Sequence, residues 1–369
     1  MIYWIFKTLW RQKGSVVSSS TGVAFAFVLV VVMDAAFVGE SNQIVAYIRH
    51  ANPDVWVMQK GVSNMHMATS FVWDWKVKQI EKMPGVKKAT PILYVNTVVK
   101  SGGRNWFSYI IGLLPDDPRA GPWAMVSGRS QPGPGEIVVP NVLVKMAGVK
   151  LGDKAKIADR EFTIIGFSAD TFSMANSIAF VNFSDLEDLI DSSGTVSFIL
   201  VDAEAGQDEN KLAKRIEQKI DKVSSITNKQ FIKNDFQIAL LMGVEIVSFM
   251  TIVGAVLAAL IIAFTAYSQV ARRKRELAIA KALGYKNRTI YLAVFFQTLF
   301  ITSLALVIAF LISVLLLPLL SELIPQITLT VTAGALVRMG VIAFIVATVA
   351  ALVPARMVAN VDPLTAFKV

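Results

Sequence analysis

The chain has 369 residues, 54% of them hydrophobic, with 36 lysines and arginines against 27 acidic residues, a net charge of +9 and no cysteine. Its mean hydropathy of +0.55 and its apolar share exceed those of ordinary soluble domains, about 45–50% apolar with glycine included, which excludes a simple water-soluble protein. Two histidines and no cysteine also exclude a His/Cys zinc cluster.

In chain order, residues 1–14 carry Trp4, Phe6 and Trp10 beside Lys7, Arg11 and Lys13, a mixture suited to an interfacial helix on the cytoplasmic side. Gly14 to Met33 holds no charged residue, and about 20 apolar residues suffice to cross a bilayer as a helix. A first transmembrane helix is predicted over 15–38. The small residues Ser18 to Gly22 precede the apolar run instead of following it, so this segment is not read as a cleaved signal peptide.

Residues 39–240 are predicted to form a mixed α/β extracytoplasmic domain with helical stalks at both ends. Glu40 to Arg49 continues the first helix, and Lys229 to Val244 leads into the second. A helix from Val16 to Arg49 would be about 50 Å long against a hydrocarbon core of about 30 Å. Strands are predicted at Asp54 to Met58, Pro91 to Val99, Tyr109 to Gly112, Glu136 to Val139, Lys154 to Ile157, Phe162 to Phe167, Ser177 to Val181 and Val196 to Val201, from their β-branched and alternating character. Helices are predicted at Trp73 to Met83, Asn141 to Ala147, Asp185 to Ile190 and Glu209 to Val223, with a turn from Gly128 to Gly135. Met65, Met67, Phe71, Trp73 and Trp75 are either core residues or an apolar surface for a lipid-like substrate or adaptor.

Three further spans follow at 241–268, 289–320 and 331–354, drawn from the uncharged windows Ile246 to Ala271, Thr289 to Ser321 and Met339 to Ala355. A cytoplasmic loop occupies 269–288, a short outer loop 321–330 and a cytoplasmic tail 355–369. Segments 1–15, 272–288 and 355–369 hold twelve basic and two acidic residues, while 34–245 holds 23 basic and 24 acidic. Basic loops stay in the cytoplasm, so both termini are expected there. The chain's positive charge is thus explained by topology and lipid contact, and no nucleic-acid partner is inferred. Asp34 and Arg338 fall about 27 Å and 24 Å from the cytoplasmic ends of the first and fourth helices. They are a candidate intramembrane ion pair.

The run Arg272-Arg273-Lys274-Arg275-Glu276-Leu277-Ala278-Ile279-Ala280-Lys281-Ala282-Leu283-Gly284 joins a basic cluster to a short helix and a glycine stop. By charge alone it fits a lipid anchor; its small and apolar face at Leu277, Ala280 and Leu283 or Gly284 fits a coupling helix that docks into a partner.

Arg275-Glu276-Leu277-Ala278-Ile279-Ala280-Lys281-Ala282-Leu283-Gly284 resembles the R-E-I-G-x-x-K-A-L-G string of MacB-like and FtsX-like permeases of ABC transporters, which include lipoprotein-releasing, macrolide-exporting and heterocyst glycolipid-exporting members. Pro354-Ala355-Arg356, Ala359, Pro363 and Ala366 are similar to the family's closing P-A-R motif, and the order helix, outer domain, three helices is the family's order. Gly135-Glu136-Ile137-Val138-Val139 and Gly148 to Asp153 resemble pieces of the MacB-type periplasmic core. Ala278 stands where the family usually has glycine.

The resemblance implies a non-catalytic permease subunit in a bacterial cytoplasmic membrane. It would work as a homodimer, or with a sister permease, on cognate ABC ATPase subunits, with ATP and Mg bound on those subunits and no cofactor on this chain. It also implies an adaptor protein where the cell has an outer membrane. No G-x-x-x-x-G-K-[ST] occurs in the chain, so the phosphate cradle would come from the partner. By the same resemblance Leu277, Ala280 and Leu283 would dock the ATPase, Arg275, Glu276 and Lys281 would make polar contacts, and Gly284 would end the helix. The implied function is ATP-driven export or extraction of an amphipathic substrate such as a drug, peptide, glycolipid or lipoprotein by mechanotransmission. The alternative is an FtsX-like regulator of an extracytoplasmic cell-wall hydrolase that transports nothing. A membrane enzyme is disfavoured, since no nucleophile elbow, metal-ligand set or acid and base pair is evident in the sequence.

Overall fold

A computed structural model describes residues 13–349 apart from 116, 174–176, 240–244, 333, 335, 336, 338, 339 and 346. The chain divides into two compact units, one built on Gly39–Val244 with Ile324–Thr328, the other on the segments before, between and after these.

In the outer unit, helix α1 (Lys13–Ile44) passes through Gly39 and, after a turn at Val45, gives way to α2 (Ala46–Ala51). There follow β1 (Val55–Gln59), β2 (Val72–Trp73), α3 (Trp75–Glu81), β3 (Val86–Ser101), β4 (Arg104–Leu113), β5 (Met125–Gly128), β6 (Glu136–Pro140), α4 (Val142–Ala147), β7 (Lys154–Ile157) and β8 (Arg160–Ser168). The unit continues with β9 (Ile178–Asn182), α5 (Phe183–Leu189), β10 (Thr195–Val196), β11 (Phe198–Ala203), α6 (Glu209–Lys219), β12 (Val223–Thr227) and α7 (Asn228–Ala239).

Ten strands share one sheet in the order β12-β1-β11-β3-β4-β9-β6-β8-β5, with β7 bridging β3 and β8. The long β3 makes this possible. Its first part, Val86 to Ile92, pairs with β11, and Leu93 to Ser101 pairs with β4. The ring β3-β4-β9-β6-β8-β7 therefore closes on itself, leaving an open wing of β11, β1 and β12. The β3–β4 hairpin turns on Gly102 and Gly103, both at positive φ (58° and 71°), as a two-residue turn of matching twist requires. A Cβ at Gly102 would also lie 2.6 Å from the Ala147 methyl.

Strand alternation sorts the side chains into three cores. Val55 and Val57 face Ile80 of α3 and Leu212 and Ile216 of α6. Trp56 and Met58 point the other way, toward Tyr47 and Ile48 of α2 and Phe231 of α7. Trp56 stacks on Phe231 at 4.7 Å, meets Phe198 edge-on at 5.9 Å and donates its indole N–H to Asn228 Oδ1 at 2.9 Å. The third core fills the closed ring with Ile110, Val139, Phe162, Phe167 and Val181.

Two sequence expectations need correction here. The helix predicted over Glu209 to Val223 stops at Lys219, and Val223 opens β12, which pairs antiparallel with β1; the chain turns through Lys222 at φ 56°. The segment Met125–Gly128, not predicted as a strand, pairs with β8.

The second unit holds the part of α1 before Gly39, then α8 (Glu245–Arg272), α9 (Lys274–Ala282) and α10 (Asn287–Leu323). Three helices among the described residues, Val16–Ile44, Ser248–Arg272 and Asn287–Leu323, are long and apolar enough to cross a membrane, and Gly340–Val349 is a shorter apolar helix. The second of these helices ends at Arg272, and arginine in the last turn suits the negative end of a helix. The third carries Pro318 inside it. Large side chains here face outward: Phe264 is 72% and Leu315 78% exposed, as expected of helices whose solvent is lipid. Small residues mediate the packing between helices: Ala24 on α1, Ala258 on α8, and Ala305 and Ala309 on α10 share one cluster.

The loop Ile324–Thr328, between the third span and the chain that follows, belongs to the outer unit. There Thr328 donates its N–H to Glu40 Oε1 at 2.8 Å and its hydroxyl to the Phe172 carbonyl at 3.3 Å.

A candidate coupling helix

Helix α9 is set off from α8 by one residue, Arg273, whose φ of −106° and ψ of 15° leave the helical region. Arg273 is buried, with 8% of its side chain exposed. Its Nε donates to Glu276 Oε2 at 2.9 Å and its Nη1 to Gln297 Oε1 of α10 at 3.2 Å. One guanidinium thereby ties the first turn of α9 to the third apolar helix, and such a charge-assisted fork fixes orientation as well as distance.

The helix ends as its sequence requires. Gly284 stands at φ 89°, and the Leu283 and Tyr285 N–H groups close onto the carbonyls of Ile279 and Ala280, satisfying acceptors that a helix end leaves open.

The faces of α9 differ from the expected arrangement. Leu277 is buried in a cluster with Val270, Ile290 and Val294, and Ala280 is partly buried against it; Ala278 is wholly buried. These residues bind α9 to its own chain and share no free face with Leu283. The exposed stripe is instead Arg275, Ile279 and Leu283, spaced i, i+4, i+8, with Tyr285 beyond the stop. Glu276 is half exposed but held by Arg273. Lys281 is half-buried. Sequence reasoning missed Arg273 and Gln297 as a pair. The signal was present: Gln297 is the single amide side chain in the uncharged window Thr289 to Ser321, where a polar group calls for a partner.

Other candidates divide. Asp34 lies half-buried on α1, while Arg338 and the tail residues Pro354, Ala355, Arg356 and Pro363 lie outside the described residues, as do the aromatic and basic residues before Lys13. In the outer unit, Met67, Phe71, Trp73 and Trp75 are exposed, whereas Met65 is buried. The Met65 N–H donates to Asp235 Oδ1 of α7 at 3.0 Å, and His66 Nδ1 lies 3.2 Å from the same oxygen. Beside them, burial and the Asp235 charge push the Tyr109 hydroxyl up to about 12, and burial holds the Tyr94 hydroxyl well above its ordinary value. Among the described residues no group of three or more His, Asp or Glu could hold a metal.

Comparison with known proteins agrees with this layout. Residues 19–219 match the MacB-like periplasmic core domain, and residues 248–363 match the FtsX-like permease C-terminal domain. Two uncharacterized ABC transporter permeases of Mycobacterium tuberculosis are each 24% identical, over 373 and 366 residues, covering 97% of this chain and 96% of theirs. Among solved structures, the periplasmic region of MacB from Actinobacillus actinomycetemcomitans is 13% identical with a TM-score of 0.38, covering 53% of this chain and 97% of that one. The extracellular domain of the transporter YknZ from Gram-positive bacteria is 11% identical with a TM-score of 0.36, covering 48% and 100%. With one domain model spanning more than half of its length and the second taking up where the helices resume, the chain belongs to the MacB/FtsX-like permease family.

Proposed function

We propose that this chain is the membrane subunit of an ABC transporter that couples ATP hydrolysis on a separate ATPase to export or extraction of an amphipathic substrate. The observation that carries the reading is the exposed stripe Arg275, Ile279 and Leu283 on a helix clamped by Arg273 between two membrane-length helices. A short cationic and apolar ridge with a rigid root suits a groove on a soluble partner, and the relatives, ABC transporter permeases, suggest an ABC ATPase as that partner. ATP and Mg would sit on the ATPase.

In this reading the basic ends of the helices face the cytoplasm, a fourth span forms around Gly340–Val349, and a second copy completes the permease. Closure of the ATPase pair pushes on α9. Because Arg273 and Leu277 bind α9 to α8 and α10, the push moves those helices, and α1 and α8 carry the movement toward the outer domain. An ion pair of Asp34 with Arg338 would lock the first span to the fourth. The exposed Met67, Phe71, Trp73 and Trp75 offer the outer domain an apolar contact for substrate or adaptor.

The test is affinity purification of the tagged chain from its native membrane beside Leu283→Asp and Ile279→Asp. The native chain should retain an ATPase. Loss of an apolar anchor at such an interface costs about 2 kcal/mol, roughly thirtyfold in affinity, so each variant should lose it. Failure of the native chain to retain any ATPase, in a complex shown by crosslinking to survive extraction, would overturn the reading.

A further inference from the structure

Helices α1 and α8 pack closely along their middle. A Cβ at Gly254 would meet Val30 at 3.3 Å and Leu29 at 3.9 Å, and Ala24 and Phe27 share a cluster with Ala258 and Ile262. Toward the basic end of α8 the contact opens into a recess of about 240 Å³. Its walls carry the hydroxyls of Ser18, Ser19, Thr265 and Ser268 and the guanidinium of Arg272. No carboxylate lines it. While Arg273 is committed to Glu276 and Gln297, Arg272 makes no ion pair among the described residues.

The apolar side of the recess is equally organised. On α1, Phe25 and Leu29 follow the lining residue Gly22 at i+3 and i+7; on α8, Leu260 and Leu257 precede the lining residue Phe264 at i−4 and i−7. Phe25, Leu29, Leu257, Leu260 and Phe264 are all exposed. Two apolar tracks therefore lead away from one cluster of donors.

We propose that this recess binds the phosphate of an anionic membrane lipid. Arginine offers a permanently charged fork to phosphate oxygens, and the hydroxyls of Ser18, Thr265 and Ser268 can each donate to an acceptor. The glycerol region lies against Gly22 and Thr265, and the acyl chains follow the two tracks. The absence of a lining carboxylate leaves nothing to hold a cationic headgroup, so an anionic lipid is preferred over a zwitterionic one. The site uses none of the residues of the coupling stripe, and it rests on the reading above only in placing α1 and α8 in a bilayer.

The shared chemistry is a phosphate ester, and its source is tested directly. The full chain, purified in detergent, is titrated with short-chain phosphatidylglycerol, phosphatidylcholine of equal chain length, glycerol 3-phosphate and inorganic phosphate, and bound adducts are counted by native mass spectrometry. Phosphatidylglycerol should bind about tenfold more tightly than phosphatidylcholine, the difference expected of one charge-assisted contact set. Arg272→Gln, and Ser268→Leu, which fills the recess without changing charge, should each lower phosphatidylglycerol binding about tenfold. Thr265→Val, nearly isosteric and safe for folding, should lower it by a few-fold. Lys274→Gln, two residues on and outside the lining, should leave it within twofold.

An equal loss in Lys274→Gln, or no loss in Ser268→Leu and Thr265→Val, would show diffuse surface charge and overturn the site. Displacement of the lipid by millimolar inorganic phosphate or glycerol 3-phosphate would overturn the lipid as occupant. Retention of the ATPase is scored in the same preparations, so failure of the transporter reading appears as a missing ATPase with the lipid preference intact.

Discussion

The outer unit and the membrane unit spend similar side chains in opposite ways. In the outer unit the large residues Trp56, Phe180, Phe198 and Phe231 are fully buried and share one core. In the membrane unit Ala24, Ala258, Ala305 and Ala309 make up much of the interior between helices, with Phe27 the one fully buried aromatic in that cluster, and the large residues Phe249, Phe264 and Leu315 are outside. In water the apolar area removed from solvent stabilises the fold at about 25 cal/mol per Å². In lipid that term vanishes between helices, so close approach and polar contacts take over. The difference predicts where each unit is vulnerable.

The largest effect should fall on the outer core. Trp56→Ala removes a stacked and hydrogen-bonded indole from a site with no exposure, and should cost about 3–5 kcal/mol. Limited proteolysis of the full chain along a denaturant series would read this as earlier cleavage within Gly39–Val244. Leu315→Ala, made on an outward-facing residue of α10, should change stability by less than about 0.5 kcal/mol. Equal losses in the two variants would break the comparison.

In the membrane unit the comparable weak point is polar. Arg273→Leu leaves the Gln297 amide and the Glu276 carboxylate without the guanidinium that joins them, a loss of about 1.5–3 kcal/mol for hydrogen bonds to a charged group. Amide hydrogen exchange should accelerate across Lys274–Ala282 and leave the outer sheet unchanged. Combining it with Gln297→Leu in a double-mutant cycle should give a coupling of about 0.5–3 kcal/mol; additive losses would remove the clamp from the account.

Smaller is the effect at Asp117, in the outer unit. Burial pushes this carboxyl up, but hydrogen bonds from Lys88, Thr90 and the Arg119 N–H, together with the Lys88 charge, hold it below its ordinary value of 3.8. A depressed folded-state pKa contributes stability at pH above the unfolded value, and that contribution is lost as pH falls through the folded value. Asp117→Asn should therefore lower stability by about 1 kcal/mol at neutral pH. The gap should close as the medium is taken below pH 3.8, where the native carboxyl also gains its proton. A gap that persists unchanged in acid would assign the effect to shape rather than charge.

Much of this was legible beforehand where one signal was strong. The apolar windows of α1, α8 and α10 stand out because lipid permits long uncharged runs, and β1, β6, β8 and β11 stand out through their β-branched residues. The strand β12 was hidden because Val223-Ser224-Ser225-Ile226-Thr227 buries Ser225 and Thr227 beside Val223, so its inward face is not apolar. Its preceding helix also carries a regular pattern right up to Ile220. At α9 the helix and its glycine stop could be read, but not the partner of each face. An apolar residue such as Leu277 looks the same in sequence whether it packs on its own chain or on another, and only the positions of Val270, Ile290 and Val294 decide it.

A change of one methyl group tests that last point most directly. Ala278 occupies the place where the family string carries glycine, and it has no exposed surface. If its methyl group is packed by its own chain, Ala278→Gly loses helix propensity of about 1 kcal/mol together with a small burial term of under about 1 kcal/mol. Exchange of the α9 amides should then rise modestly, by less than in Arg273→Leu, and ATPase retention should persist because Ile279 and Leu283 are untouched. If instead the methyl stood in the way of a partner, the glycine variant would hold the ATPase more tightly than the native chain. The two readings differ in sign, and the sign decides whether the buried face of α9 belongs to this chain or to the interface.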